Sequence, residues 1–331
     1  MDGVTRPIAC MRSRSVSITG ATGFIGWHLA EAFRDTGWGV RAIVRPGNTK
    51  PLPGGTGSVE AALGPGPLAR AVEGCDVVVH AAGLTRARRA SSFDAVNVSG
   101  TRAIVDAVNA AGARLIAISS QAAIGSGSAA CPSREDDAPR PLTPYGRSKL
   151  AAETVVRSSA RVPWTIVRPS SVYGPRDRQF LPVFRFASRG LFLQATDPAT
   201  PFTFIYIDDL TRGVVLAAGD EHAAGRTMFL GHPDPLTAEE LLKQLATVFG
   251  RRYRPRRVPR LALRAAALAG ECSWLFGLEP VLDHARLAEL GAGGFVCAVD
   301  RARDLLGFTA AVPLQEGVER TARWYRNQGW V

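Results

Sequence analysis

Tyr145 and Lys149 stand four residues apart in the run Tyr145-Gly146-Arg147-Ser148-Lys149. On a helix that spacing puts a phenol and an ammonium on one face. A phenol of ordinary pKa is a poor proton carrier at neutral pH. Lowering it by about three units takes roughly 4 kcal/mol of preferential stabilisation of the phenolate. A neighbouring lysine charge works in that direction, and a tyrosine so tuned can relay a proton. The bland alternative is a coincidental pair on a solvated face. With five tyrosines and three lysines in 331 residues, about 0.05 such pairs arise at random at this helical spacing. Lys50, Lys149 and Lys243 are the only lysines among 40 basic residues. Arginine cannot serve as a compact, tunable ammonium, so a lysine here is informative.

A second constellation lies in Ser17-Ile18-Thr19-Gly20-Ala21-Thr22-Gly23-Phe24-Ile25-Gly26-Trp27-His28-Leu29. It reads as a β-branched strand, glycines spaced three apart, then an amphipathic helix. Gly20 permits a sharp turn, Gly23 lets backbone amides approach a ligand, and Gly26 lets helix pack closely on strand. The helix N-terminus adds unpaired N–H groups and partial positive charge, suited to a diphosphate. In a chain with 34 glycines the pattern alone is weak, but the strand–turn–helix context makes it a dinucleotide site. A bound nicotinamide ring would then join Lys149 in stabilising the Tyr145 phenolate, while hydride passes to or from it.

The elements that must position these groups follow from the apolar pattern. Strands are expected at 15–19, 40–44, 76–80, 114–119 and 163–168, and helices at 24–36, 92–111 and 146–160. Such alternation implies right-handed crossovers and a parallel sheet covered on both faces. Four prolines between 132 and 144 mark an exposed loop. Residues 170–202 read as turns with one helix. A strand is expected at Phe204–Ile207, a helix at 208–218 capped by Asp208 or Asp209, and a terminal helix at Leu314–Tyr325. The fold class is therefore α/β: a Rossmann-type, doubly wound parallel sheet with a smaller, mostly helical C-terminal lid. The expected division is 14–170 with 203–232 for the dinucleotide, and 171–202 with 233–331 for the lid. The lid would cover the carboxyl edge of the sheet, where ligands bind in open α/β sheets.

Composition bounds the partners. The 46% hydrophobic content describes a globular protein with a sizeable core. Residues Met1 to Arg14 lack the uninterrupted apolar run of a secretory signal, and no segment is apolar enough to span a membrane. Cys10, Cys75, Cys131, Cys272 and Cys297 are scattered without metal-ligand spacing, which fits a reduced, cytoplasmic setting and no metal site. The five isolated histidines read as structural. The net charge of +11 comes from 37 arginines. That skew reads as genomic base composition, although a basic face attracts phosphate-bearing ligands or anionic membrane surfaces. No nucleic-acid motif accompanies the charge. Leu261 to Leu278 is rich in Ala, Leu, Trp and Phe. It reads as lid packing, with an apolar pocket or a membrane-surface face as the alternatives.

Taken together these motifs resemble the extended short-chain dehydrogenase/reductase family. The resemblance covers nearly the full chain, through Thr19 to Gly26, Asn97-Val98-Ser99-Gly100-Thr101, Ser119-Ser120, Tyr145 to Lys149 and Arg168-Pro169-Ser170-Ser171-Val172-Tyr173-Gly174-Pro175. It implies that Tyr145 is the acid–base, that Lys149 positions it and holds the nicotinamide ribose, and that Ser120 orients the substrate oxygen. Ser119 closes the strand. The cofactor contacts implied are Gly20, Thr22, Gly23, Phe24, Ile25, Gly26, Arg45, Ala81, Ala82, Gly83, Asn97, Tyr145, Lys149, Pro169 and Val172. For Asn97 a buried bridging role is the alternative, and for Ala81-Ala82-Gly83 it is tight helix packing. Substrate contacts implied are Thr85, Ser120, Gln121, Tyr145 and Ser171.

Three departures refine this. Val44-Arg45 ends the second strand, where users of NAD place an acid. Arginine there binds a 2′-phosphate, so NADP(H) is the preferred cofactor, with NAD(H) as the alternative. Ala62 stands where relatives carry an aspartate against adenine. Phe202 and Ser171 replace an arginine and an asparagine that relatives use on nucleotide sugars, which would leave a diphosphate underpaired. The expected activity is carbonyl–alcohol interconversion on a small or lipophilic metabolite. A nucleotide-sugar epimerase or dehydratase with retained cofactor is the runner-up, and a non-catalytic dinucleotide sensor or assembly protein the third reading. The resemblance also implies a homodimer through the helices at 92–111 and 146–160, with Ala103, Val105, Ala107 and Ala110 at the contact or, as the alternative, packed on the sheet.

Overall fold

The computed structural model describes residues 14–64, 66–274 and 279–331. Cys10, with the other residues before Arg14, and the end of the apolar stretch at 275–278 lie outside the described residues. Seven parallel strands form the central sheet: β1 (Ser15–Thr19), β2 (Gly39–Val44), β3 (Gly57–Glu60), β4 (Val77–His80), β5 (Arg114–Ile118), β6 (Trp164–Pro169), and β11 (Arg226–Leu230). Their order is β11-β6-β5-β4-β1-β2-β3. The chain runs outward from β1 in one direction and returns to β4 on the other side. The switch point, where loops diverge to leave a crevice, is thus between β1 and β4.

Alternation along each strand builds two cores. Val16, Ile18, Val77, Val79, Ile116, Ile118 and Val167 face one side, and Ile43, Val78, Leu115, Ala117 and Ile166 the other. The first face carries α1 (Phe24–Asp35) and α7 (Ile207–Gly219). The second carries α2 (Pro67–Val72), α4 (Ser99–Ala111) and α5 (Pro144–Ser159). Helix α4 continues from α3 (Ala90–Phe93) through a π turn at Asp94–Val98. The sequence reading found five of the seven strands. It omitted β3, an edge strand with little burial, and β11, which follows a short turn after α7.

Three two-stranded pairings lie outside the sheet. β7 (Ser171–Tyr173) pairs with β10 (Phe204–Tyr206), β8 (Phe192–Gln194) with β13 (Pro255–Arg257), and β9 (Pro201–Phe202) with β12 (Leu236–Thr237). Helices α6 (Leu181–Ser188), α8 (Ala238–Val248), α9 (Arg260–Ser273), α10 (His284–Leu290), α11 (Asp300–Leu306) and α12 (Leu314–Asn327) complete the helices among the described residues. The C-terminal region is helical, as expected.

Two expectations need correction. Helix α7 begins on Tyr206 without a side-chain cap. Asp209 instead turns inward, accepting from the Ala311 and Val312 amides at 2.8 Å each. It ties the loop before α12 to α7, because a buried carboxylate needs donors on every side. On α4, Val105 and Ala107 are buried within their own core. Neither is free to meet a second copy. Of the four residues expected at a dimer contact, Ala103 is half-buried and Ala110 exposed.

Candidate active site

Thr19 pairs in register with Ile43 and with His80, and His80 with Ala117. Four strands therefore end level, and the segments beginning at Gly20, Arg45, Ala81 and Ser119 leave one edge together. Gly20 adopts a left-handed φ of 76°, and the Gly23 amide donates back to its carbonyl at 2.9 Å. A Cβ on Gly20 would lie 2.7 Å from the Ala82 nitrogen, and one on Gly26 would overlap the Gly20 carbonyl. The glycine loop is thus pressed against Ala81-Ala82, and small residues are required on both sides. Helix α1 starts on exposed Gly23 with no side-chain cap and no acidic residue in its first turn. Its N–H groups and dipole are left for an anion. These features fit a dinucleotide diphosphate.

Below this loop the strand ends are joined by neutral hydrogen bonds. His80 Nδ1 lies 2.8 Å from Thr19 Oγ1 and its Nε2 3.2 Å from Thr101 Oγ1. Burial pushes the imidazole down to about 3, with the Lys149 charge adding to the effect. His80 is a neutral structural residue, as the isolated histidines suggested.

Helix α5 delivers the reactive pair. Thr143 caps it, its hydroxyl accepting from the Gly146 amide at 3.1 Å, and Pro144 occupies the first turn. A Cβ on Gly146 would overlap the Ala122 carbonyl. The helix therefore packs directly on the 3-10 turn Gln121–Ala123, which Ser120 caps. That close approach brings the Ser120 hydroxyl near enough to the Tyr145 phenol to favour its ionised form. Lys149 Nζ donates to the Ile118 carbonyl at 2.6 Å. Asn97, in the π turn, donates to Leu84 O and Ser148 Oγ and accepts from the Leu84 amide. It clamps the 81–85 loop to α5, and Gly83 sits where a Cβ would be 3.1 Å from Asn97 Oδ1 and 3.8 Å from Lys149 Nζ.

The electrostatics differ from the sequence expectation. Burial pushes the Tyr145 phenol up to about 12, partly offset by the Ser120 hydroxyl. Burial also brings Lys149 down to about 8, against the pull of Glu153. The lysine charge by itself therefore does not depress the phenol, because both groups share one desolvated site.

The remaining predicted residues spread along the same edge. Thr22, Phe24 and Ile25 are half-buried on the glycine loop and first turn of α1. Pro169 is buried beside Leu230, and Val172 is half-buried against the core. Gln121 is buried with its Nε2 unpartnered, and the Ser170 hydroxyl beside Ser171 is likewise orphaned. Thr85 is exposed on the loop after Leu84, and Ser171 is half-buried with its amide on Thr203 O. Arg45 is exposed at the end of β2, and its side chain has no partner among the described residues. Ala62 is exposed.

Sequence reasoning missed the groups that reach the site from the helical C-terminal region. Glu289 on α10 faces the Thr143 hydroxyl at 3.5 Å, and its charge acts on Tyr145. Arg286, one turn earlier, is half-buried among Arg86, Glu289, Asp283 and Asp177. Arg86 donates to Pro280 O at 2.5 Å and pairs with Glu279 at 3.3 Å. Nothing local in the sequence couples residue 86 or 143 to residues near 285. Three arginines after β7 make contacts of their own. Arg176 lies 3.6 Å over the Trp27 ring and Arg178 5.2 Å over Trp330, while Arg185 donates to Trp330 O. Phe202 packs its ring against Phe204.

Ser119 has a different role from Ser120. Its hydroxyl donates to Glu153, which also takes two bonds from Arg168 at 2.9 and 2.8 Å and one from Arg157. Burial opposes the Glu153 charge, but these donors hold its carboxyl below the usual glutamate range. This buried network fixes β6 against α5.

Comparison with known proteins agrees with this geometry. Residues 16–231 match the sequence profile of the NAD dependent epimerase/dehydratase family. The chain is 33% identical to a ceramide reductase of Caulobacter vibrioides, over 96% of each chain. It is 28% identical to a 4-hydroxy-2-methyl-3-oxo-4-farnesyl-3,4-dihydroquinoline-1-oxide ketoreductase of Stigmatella aurantiaca, over 91% of this chain and 94% of that one. Among solved structures, MoeE5 in complex with UDP-glucuronic acid and NAD superposes with a TM-score of 0.75 at 25% identity, covering 95% of this chain and 99% of that one.

Proposed function

The chain belongs to the NAD-dependent epimerase/dehydratase family and is an NAD(P)-dependent oxidoreductase of the extended short-chain type; within it we propose an NADP(H)-preferring ketoreductase for a lipophilic carbonyl compound. The observation that carries this reading is the packing of the Tyr145 end of α5 on the Ser120-capped turn, beside a Lys149 anchored on the Ile118 carbonyl. The dinucleotide supplies the hydride when bound. The other tasks fall to side chains. Ser120 donates a hydrogen bond to the carbonyl oxygen and holds it beside Tyr145. The phenol gives that oxygen its proton as the alcohol forms, and the protonated Lys149 then favours the phenolate left behind. Asn97, Gly146 and Ser148 keep these atoms in register. Arg45 supports NADP(H), since an exposed, unpartnered guanidinium suits a 2′-phosphate.

The lipophilic substrate class is supported by Phe202 and Ser171 standing where a nucleotide-sugar site would place its arginine and asparagine, and by the named activities of the reductase relatives. The likeness to MoeE5 favours a second reading, a nucleotide-sugar enzyme. Purified protein should oxidise NADPH with long-chain or isoprenoid ketones and leave UDP-sugars untouched. UDP should inhibit only at millimolar concentration. Micromolar inhibition by UDP would move the assignment to the nucleotide-sugar branch.

A further inference from the structure

Helix α9 buries only Leu263 and Ala267. Leu261, Ala265, Leu268 and Cys272 recur at i, i+4, i+7 and i+11, which is one stripe on the opposite side of the helix. All four are exposed, with Leu261 at 77% and Leu268 at 60%. Val281, just beyond, is 57% exposed. These are the three most exposed large apolar residues among those described, and they fall within 21 positions of one another. A helix apolar on two faces has one face without a partner in its own fold.

Charge indicates what that partner is. From 241 to 270 the chain has no Asp or Glu, and seven arginines fall between 251 and 264. All seven are exposed. Apart from Arg251, which donates to Ser188 O, their side chains have no partner among the described residues. Arg256 pairs in register with Leu193, itself 40% exposed, so apolar and basic surface are interleaved. Dense arginine, with no acid before Glu271 near the far end of α9, where it pairs with His284, lies beside an exposed leucine stripe and matches an anionic bilayer, where leucines enter the acyl boundary and guanidinium groups meet lipid phosphates.

We propose that α9 and the basic segment before it dock the enzyme on an anionic lipid surface. The placement has a consequence for the active site. A Cβ on Gly270 of α9 would overlap the Leu282 carbonyl, so the helix lies tight against the chain leading into α10. Helix α10 carries Glu289 to Thr143, and Arg86 of the active-site loop binds Glu279 and Pro280 in the same connection. The docked face and the site mouth thus share one segment, and a lipophilic ketone reaches Tyr145 from the bilayer. Docking stands independently of the ketoreductase reading, whereas this delivery rests on it.

The test is co-sedimentation of the full chain with phosphatidylcholine vesicles, with and without phosphatidylglycerol, alongside NADPH oxidation with a short, water-soluble ketone. Binding should require phosphatidylglycerol and weaken in high salt. Leu261→Glu/Leu268→Glu should lower vesicle affinity about tenfold or more, and so should Arg256→Glu/Arg257→Glu. Turnover of the soluble ketone should be unchanged in both. Absence of binding to anionic vesicles would overturn the proposal. So would undiminished binding by the leucine variant, which would mark the arginines as a site for anions such as nucleic acid. A fall in solution mass from dimer to monomer in the leucine variant would assign the stripe to a second copy of the chain. Failure of the soluble-ketone assay with docking intact would count against the ketoreductase reading alone.

Discussion

The Lys149 ammonium donates to the Ile118 carbonyl at 2.6 Å, tying α5 to the end of β5 across 31 residues of chain. The same burial that makes this bond strong makes the charge costly. The folded-state value falls to about 8 from an ordinary 10.5. Below pH 8 the lysine is charged in both states, and the folded state alone bears the cost of burial. Between about 8 and 10.5 the unfolded chain holds a proton that the folded chain releases, so this site's contribution to stability rises with pH. Lys149→Met should therefore be more stable than the wild type at pH 7, by about 1–3 kcal/mol after loss of the Ile118 bond. Urea denaturation at pH 7 and pH 10 should show that gain shrinking. Turnover should fall at least a hundredfold, as is typical for loss of a positioned acid–base component. Tyr145→Phe should abolish turnover and leave cofactor affinity nearly unchanged. Full activity of Tyr145→Phe in a steady-state assay would remove the phenol from the mechanism.

Gly26→Ala tests the dinucleotide cradle. The new methyl would overlap the Gly20 carbonyl, which is backbone and cannot swing aside. The loop must shift, so NADPH affinity measured by calorimetry should drop about a hundredfold or more. Gly37→Ala is not an equivalent control, since Gly37 has a φ of 83°. Gly54→Ala is, because no atom lies near its Cβ position. It should bind NADPH like the wild type.

Arg45→Asp should shift preference from NADP(H) toward NAD(H) by about 1.5–3 kcal/mol, the worth of a charge-assisted contact. The new carboxylate repels a 2′-phosphate and accepts from free ribose hydroxyls. Parallel titrations with both cofactors read the change directly. A wild type that already binds NAD(H) more tightly would contradict the role given to Arg45.

Glu153 and Arg168 are 2% and 1% exposed. Glu153→Gln removes the charge but leaves Arg168 buried, so unfolding free energy should fall by about 3–5 kcal/mol. A double change, Glu153→Leu with Arg168→Met, should lose less than the single one. Because the Glu153 carboxyl sits below its ordinary range, its contribution is full above the unfolded value. It is lost only as acid takes the pH through the lowered folded value. Thermal melts across acidic pH should show this dependence in the wild type and not in Glu153→Gln.

The glycine loop, the five interior strands, the helix bearing Tyr145 and Lys149, and the helical C-terminal region were legible because each rests on local pattern. Apolar alternation, glycine spacing and the i, i+4 relation depend only on neighbours in the chain. Edge strand β3 buries too little to leave such a pattern. The rest was decided by tertiary contact. Asp209 reads as a cap until the loop before α12 arrives to occupy it. Val105 and Ala107 read equally as a dimer contact or as packing on the sheet until α2 and the sheet cover them. Glu289 and Arg286 acquire meaning only when α10 folds over Thr143 and Arg86, residues 146 and 200 positions away. Burial has no local signature either, and burial is what raises Tyr145 and lowers Lys149. Residue type and spacing therefore determined which groups can react, while packing and desolvation decided their protonation and what faces them.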